Sequence, residues 1–263
     1  MTSKDTNEDQ LTKHISKISQ FQTTILNSKL FTEISTTLSS TLPPKSITSI
    51  RCLALGSPTD STPAKYQLSL LLQLIPLLNT PELITTISFY DPIFTELDIQ
   101  LIKTLLPTAI IQQEYTPPIP NTTLYFLPHA PLDLMEEILK VDKPAYLLCN
   151  DLISHTDRLT KRKLSEQYPT IAVCVEYLTK SEQTTTAEGG DGFIPVTKKR
   201  RNKKKGVFVE PEIVYDFDGV YFKGVERERF DHGSDKGDPW GNSFSDLAYH
   251  YIIPKDDDAE KVI

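Results

Sequence analysis

The hydrophobic pattern of the chain predicts an alternation of strands and helices. Between residues 9 and 40, apolar residues recur at helical spacing, which indicates one or two amphipathic helices. Short apolar runs, rich in β-branched and aromatic residues, then alternate with longer leucine-rich or charged runs. The predicted strands are 49–55, 83–90, 108–113, 123–127, 145–149 and 171–177. The predicted helices between them are 64–74, 95–106, 132–140 and 155–167, with Thr95 as an N-cap.

This alternation is typical of an α/β fold with three layers, in which a mostly parallel sheet carries helices on both faces. The strands are almost continuously apolar, which fits burial on both sides. The longest apolar segment, 68–78, is too short to span a bilayer and contains Pro76, so a core helix and no membrane contact are expected. The first ten residues are polar and lack the apolar stretch of an export signal.

Glycine divides the chain into two parts. Of the ten glycines, only Gly56 lies within the first 188 residues. From about residue 180 the composition becomes that of a linker, and a basic run follows at 198–205. We therefore expect an N-terminal helical segment (1–45), an α/β domain (46–179), a flexible and disordered charged linker (180–243), and a closing strand with an acidic tail (244–263).

Charge and cysteine content narrow the class of protein. The net charge is −7 and the pI is about 5.3, which gives no strong case for nucleic-acid binding. The three cysteines lie far apart in apolar runs and form no CxxC pair, so they are expected to be buried, reduced thiols, as suits an intracellular compartment. No spacing of His, Cys, Asp and Glu supports a metal site.

The basic run has seven basic residues in eight and cannot form a packed core. It is typical of a nuclear import signal or of a patch that binds another acidic protein. Pairing with the acidic C-terminal region is the alternative. The residues concerned are Lys198, Lys199, Arg200, Arg201, Lys203, Lys204 and Lys205.

Polar residues follow the predicted strands, where ligands bind in open α/β sheets. The loop at Gly56 and Ser57 precedes a helix and resembles a loop that meets an anion with its backbone N–H groups. It lacks the three glycines of a dinucleotide fingerprint, and a turn that needs positive φ explains Gly56 equally well. His129 lies between two prolines and is either an acid–base group or a structural residue.

Asp91 ends the second predicted strand and is followed by Pro92. A carboxylate at this position can accept hydrogen bonds from a ribose diol or act as a general base. It can also initiate the turn or cap the next helix. The residues alone leave these alternatives open.

Four motifs in order carry a resemblance to a known family. The stretches "CLALGSPTDSTPAKYQLSLLLQL", "SFYDPIFTELD", "TLYFLPHAPLDL" and "AYLLCND" resemble the SRR-like (sensitivity to red light reduced) domain over about 46–177. The stretch "FSDLAYHYI" (244–252) is similar to the closing motif of that family. Ala130 and Ser245 stand where the family usually has Cys and Asn, which weakens any case for thiol chemistry. The motif positions carried over are Gly56, Ser57, Gln67, Asp91, Pro92, His129, Asn150, Asp246 and His250.

The resemblance implies a regulatory protein of the cytoplasm and nucleus, from the fungal branch of the family. Members are tied to circadian and light signalling, microtubule-related processes and haem biosynthesis, with no firm catalytic activity, and the cofactor of this chain is unknown. Three hypotheses stay open. The first is a regulatory Rossmann-like domain that binds a nucleotide-like molecule. The second is a transferase-like enzyme with a nucleotide cofactor, Asp91 on its ribose and His129 near the reacting group, and the third is a non-catalytic scaffold.

Overall fold

The computed structural model describes residues 3–42, 47–79, 84–115, 122–187, 213–233 and 237–255. The helices are α1 (Ser3–Leu26), α2 (Lys29–Thr41), α3 (Thr62–Leu78), α4 (Glu96–Leu105), α5 (Leu132–Val141), α6 (Leu152–Thr156), α7 (Lys161–Gln167) and α8 (Pro169–Ala187). The strands are β1 (Ser49–Leu53), β2 (Thr86–Tyr90), β3 (Ile110–Ile111), β4 (Thr123–Leu127), β5 (Tyr146–Asn150), β6 (Phe222–Arg229) and β7 (Leu247–Pro254). A 3-10 turn covers Asp231–Gly233.

The sheet has seven strands in the order β3-β2-β1-β4-β5-β7-β6. The first five strands are parallel, and β7 and β6 continue the sheet as antiparallel strands. From β1 the chain first adds β2 and β3 on one side of the sheet, and it then adds β4 and β5 on the other side of β1. The order therefore reverses between β1 and β4, and this is where open α/β sheets place ligands.

Two hydrophobic cores cover the two faces of the sheet. Strand residues alternate between them, so that Cys52 and Phe126 face one core while Leu53 and Leu127 face the other. The first core contains buried residues of α1 to α4, and the second contains those of α5 to α8. The expected three-layer, Rossmann-like α/β architecture is confirmed.

The three cysteines are buried and unpaired, as the sequence predicts. Cys52 belongs to the first core, and Cys149 and Cys174 belong to the second. Burial raises the pKa of all three thiols because it penalises the thiolate. These thiols are packing residues in the protonated form.

The run 171–177 is helical, which corrects the prediction of a strand there. Pro169 begins α8, and proline is favoured in the first helical turn. The buried carboxylate of Glu136 accepts hydrogen bonds from the N–H groups of Thr170 and Ile171 at 3.0 and 2.9 Å. These bonds satisfy N–H groups that a helix start leaves unpaired. An apolar run alone does not distinguish a buried strand from a buried helix.

Three further predictions need adjustment. The predicted helix 155–167 is two short helices, α6 and α7, and the predicted strand 108–113 is reduced to the two residues of β3. The predicted flexible region 180–243 contains the end of α8 and all of β6, which forms one edge of the sheet. The basic run lies outside the described residues. None of the helices within the described ranges is long and apolar enough to cross a lipid bilayer.

Candidate functional site

The loop that leaves β1 has an unusual backbone. Ala54 and Gly56 both adopt positive φ angles, 51° and 78°. Glycine accepts this conformation readily, whereas an alanine in the left-handed region is destabilised by about 1 kcal/mol. The Gly56 N–H group donates to Oδ2 of Asp91 at 2.8 Å. Asp91 therefore holds the turn in place from the end of the neighbouring strand.

The second carboxylate oxygen of Asp91 stabilises the turn between β2 and α4, in which Asp91 itself lies. Oδ1 accepts from the Ile93 N–H group at 3.1 Å. The next helix, α4, is instead capped by Thr95, whose hydroxyl accepts from the N–H group of Asp98. Helix capping by Asp91 is thus excluded, and the prediction of Thr95 as the cap is confirmed. Half-buried Asp91 is a turn residue that also fixes the Gly56 loop.

Asp98 of α4 binds the same loop through hydrogen bonds and is fully buried. Its Oδ1 accepts from the Ser57 hydroxyl at 3.0 Å and from the Thr59 N–H group at 2.8 Å. Its Oδ2 accepts from the N–H group and hydroxyl of Thr95 at 2.9 and 2.8 Å. Burial acts to raise the Asp98 pKa, but these hydrogen bonds outweigh burial and lower the pKa below its ordinary value. Asp98 is a buried carboxylate stabilised by neutral donors.

The closing motif brings distant residues to this edge of the sheet. The segment before β7 packs on α3, where the Trp240 ring contacts Tyr66 edge-on at a centroid distance of 6.3 Å. The side-chain amide of Gln67 then donates to the Ser243 carbonyl oxygen at 2.9 Å. Gln67 is fully buried, although it is 176 residues away from Ser243 along the chain.

Asn150 contacts the same turn from the end of β5. Its amide nitrogen donates to Oδ2 of Asp246 at 2.6 Å, and the Asp151 N–H group donates to the Asp246 carbonyl oxygen at 2.6 Å. Gln67 and Asn150 therefore border one short turn, residues 243–246, from two sides. Among the described residues, no donor contacts Gln67 Oε1 or Asn150 Oδ1, although both atoms are buried. Buried polar atoms of this kind need an explanation.

His129 follows β4 and lies near the same acids. The residue is exposed, but neighbouring protein atoms remove enough water from the imidazole to lower its pKa. The Asp246 carboxylate opposes this effect, and His155 adds to it. His129 is therefore a largely neutral imidazole close to Asp246 at neutral pH.

His250 lies apart, on the other face of the sheet and fully buried. Its Nε2 accepts from the Leu152 N–H group at 3.4 Å, and its Nδ1 contacts Cys149 Sγ at 3.5 Å. Burial lowers the His250 pKa to about 4, with Asp151 raising and Arg227 lowering it. His250 supports the start of α6 from a fully buried position, directly after the carboxyl end of β5.

Asp151 links this edge to the antiparallel strands. Its side chain is 3% exposed and accepts from Arg227 of β6 at 2.6 Å, while Arg229 lies 3.5 Å away and is 62% exposed. Ser154 donates to the second Asp151 oxygen at 2.7 Å. Burial acts to raise the Asp151 pKa, but the bonds from Ser154 and Arg227 lower it overall. The sequence offers no signal for this pair because the residues are 76 positions apart.

We use the name carboxyl-edge site for the motif residues that follow β1, β2, β4 and β5 at their carboxyl ends, together with Gln67 of α3 and Asp246 in the turn before β7. The site lies at the point where the strand order reverses. It comprises Gly56, Ser57, Gln67, Asp91, His129, Asn150 and Asp246. Sequence reasoning missed Asp98, although the spacing of Thr95 and Asp98 matches a capping box and signals the bond between them.

A different cavity lies at the opposite edge of the sheet. It has a volume of about 310 Å³ and is bordered by Lys140, Lys143 and Lys255 among others. Lys140 pairs with Glu136 at 3.0 Å, and Lys255 donates to two backbone carbonyls at 3.0 Å. Within the described part of the chain, no group of three or more His, Cys, Asp or Glu has a metal-binding arrangement.

Comparison with known proteins gives a family but no individual relative. The model of the SRR1 domain family matches residues 10–251. Neither the curated proteins nor the solved structures contain a match. The match covers most of the chain, including most of α1, all of α2 and the first part of the closing strand β7. The chain therefore belongs to the SRR1 domain family, as the motifs of its carboxyl-edge site indicate.

Proposed function

We propose that this SRR1-domain protein is a regulator that binds a nucleotide-like small molecule at the carboxyl-edge site. The observation that carries the proposal is the pair of buried amide oxygens, Gln67 Oε1 and Asn150 Oδ1, that no described protein group satisfies. A buried acceptor without a partner costs about 1–3 kcal/mol. A ligand that donates to both oxygens would recover this free energy.

Position supports the same proposal. The site lies where the strand order reverses, between β1 and β4, and this is the usual place for ligands of doubly wound sheets. The carboxylates of Asp91 and Asp246 are half-buried there, so each can still accept further hydrogen bonds from a ribose. Fold-level likeness to nucleotide-binding domains is an analogy, whereas the buried amides are specific to this chain.

Family membership supports the regulatory part of the proposal. The processes to which SRR-like proteins are tied, circadian and light signalling, microtubule-related processes and haem biosynthesis, are where we propose that such a regulator acts. We propose residence in cytoplasm and nucleus, with the run 198–205 bound by an import receptor. A transferase-like reaction at His129 remains an alternative, since its largely neutral imidazole lies close to Asp246.

Native mass spectrometry of the freshly purified full chain tests the proposal. We expect a bound mass that matches a nucleoside or nucleotide, and we expect Asp246→Asn to reduce its occupancy. Asp133→Asn is the matched control, because Asp133 is exposed on α5 and accepts a hydrogen bond from the Tyr168 hydroxyl at 2.9 Å.

Urea denaturation shows whether Asp246→Asn is folded under the same conditions. The proposal is overturned if all three proteins give empty spectra and no nucleoside or nucleotide raises the melting temperature of the wild type. That result would favour the scaffold hypothesis. Release of a chemically altered ligand after incubation would instead favour the enzyme.

A further inference from the structure

Three backbone hydrogen-bond donors of the Gly56 loop are already in use. The N–H group of Gly56 donates to Asp91, and that of Thr59 donates to Asp98. The N–H group of Asp60 donates to the Ser57 hydroxyl at 3.3 Å. Loops that cradle phosphate leave such N–H groups directed at the anion. Here the protein's own carboxylates occupy two of those positions.

The backbone N–H groups at the start of α3 also have acceptors within the protein. Ser61 is the N-cap and accepts from the Ala64 N–H group at 3.3 Å, while the Ser61 N–H group donates to the Ser57 carbonyl at 2.8 Å. Pro58 and Pro63 have no N–H group to offer. A phosphate at this loop would have to displace bonds that fix its backbone.

The charge of the loop also disfavours an anion. Asp91 and Asp98 place two carboxylates against it. Lys65 of α3 brings a cation to the loop, where its ammonium donates to the Thr59 carbonyl at 2.9 Å. The carboxylates of Asp60 and Asp98 and, more weakly, the ammonium of Lys17 lie close enough to act on Lys65, so the carboxylates at the loop outnumber this cation. Like charges at close range oppose binding of a phosphate.

The opposite wall of the site offers acceptors. Gln67 directs its amide nitrogen at the Ser243 carbonyl, and Asn150 directs its amide nitrogen at the Asp246 carboxylate. Rotating either amide by half a turn would place oxygen against oxygen, so the orientation of both amides is fixed. The two remaining amide oxygens can only accept. They require donors, such as hydroxyl or amino groups.

We infer that the ligand of the carboxyl-edge site is a neutral hydrogen-bond donor of the nucleoside class, and that the Gly56 loop does not bind a phosphate. This inference rests on the proposed function and narrows it. Ribose hydroxyls and the exocyclic amino group of a base donate to the Gln67 and Asn150 oxygens and to the two half-buried carboxylates. The Gly56 loop is a rigid wall of the site.

Matched pairs of probes test the inference on the full chain. Isothermal titration calorimetry compares adenosine with adenosine 5′-monophosphate, and guanosine with guanosine 5′-monophosphate, because each pair differs only in the phosphate. We expect one nucleoside to bind at least about tenfold more tightly than its monophosphate, a difference of about 1.4 kcal/mol. We expect Gln67→Met, which keeps the side-chain volume, to weaken nucleoside binding by about tenfold.

Gln73→Met is the control substitution, on the same helix and further from the site. Tighter binding of a monophosphate that Gln67→Met abolishes would overturn the inference and leave the proposed function standing. If no nucleoside or monophosphate binds, the inference fails, and native mass spectrometry then decides about the proposed function. An empty wild-type spectrum would overturn both.

Discussion

The two sides of the carboxyl-edge site use their carboxylates differently. On the β1–β2 side, Asp98 receives four hydrogen bonds from neutral donors within two short segments. On the β5–β7 side, Asp151 is held by Arg227 from a strand 76 residues away, and Asp246 is held by Asn150. The first arrangement fixes the Gly56 loop against the start of α4. The second joins distant parts of the chain and leaves buried acceptors beside the turn.

This difference indicates a division of roles. The β1–β2 side has no unused donors at Gly56, Thr59 and Asp60, so it serves as a fixed wall. Asn150 of β5 and Gln67 of α3 both border the turn before β7 and have unsatisfied oxygens, and we propose that a ligand contacts these oxygens. Substitutions on the first side are therefore expected to change stability most, and substitutions on the second to change binding.

The largest effect is expected for Asp98→Ala. The change removes the carboxylate acceptor of the buried Thr59 N–H group, the buried Ser57 hydroxyl and the partly buried Thr95 N–H group, at about 1–3 kcal/mol for a buried group. We expect the free energy of unfolding to fall by about 4 kcal/mol, as measured by urea denaturation. Asp91→Ala is the control from the same segment. Its donors are partly solvated, so about 1 kcal/mol is expected, and equal losses in both variants would contradict the comparison.

The second effect is a pH dependence that involves His250. Its pKa is lowered to about 4 in the folded protein, so between pH 6.5 and 4 the unfolded chain binds a proton at this residue that the folded chain does not. Stability from His250 is therefore complete above pH 6.5 and is lost as the pH falls, by about 3 kcal/mol at pH 4. Urea denaturation of the wild type and His250→Gln across this range measures the difference.

The pKa values of His129 and His14 are also lowered, and these residues contribute in the same direction in both proteins. The difference between wild type and variant isolates His250. Asp98 and Asp151 have lowered pKa values, so their contribution is present above the ordinary carboxyl pKa and is lost only at lower pH. Parallel pH profiles of the two proteins between pH 6.5 and 4 would refute the assignment.

Much of the fold was predictable because its signals are local. The strands β1, β2, β4 and β5 are short apolar runs that end at polar turns, and Thr95 stands directly before the helix that it caps. The sequence does not predict the edge strand β6, because the strand ends in four consecutive charged residues and lies within a region of linker composition. The sequence predicts a strand where the structure has the first half of α8, because the apolar run there has no polar face.

The site was predictable only in part. The motif residues that follow β1, β2, β4 and β5 meet at one edge because parallel strands share the direction of their carboxyl ends. What Asp91 and Asp98 bind depends on the path of the Gly56 loop, which no residue pattern specifies. The contact of Gln67 with Ser243 spans 176 residues and depends on how β7 returns to the sheet. Long-range contacts of this kind need the fold before they can be identified.

The smallest of these effects tests the link between β6 and the site. Arg227→Met removes the buried cation from Asp151, and Ser154 and the Ile153 N–H group remain as donors to that carboxylate. We expect a loss of about 2 kcal/mol in the free energy of unfolding, less than for a buried ion left without donors. Arg229→Met is the matched control, because Arg229 is largely exposed and its ion pair contributes about 0–1 kcal/mol.

Urea denaturation at two salt concentrations distinguishes the two ion pairs of Asp151, since salt screens the exposed pair with Arg229 more than the buried pair with Arg227. Equal losses for both arginines, with equal salt dependence, would show that Asp151 is held by its local donors alone. The β5–β7 side would then resemble the β1–β2 side, and the division of roles between them would not hold.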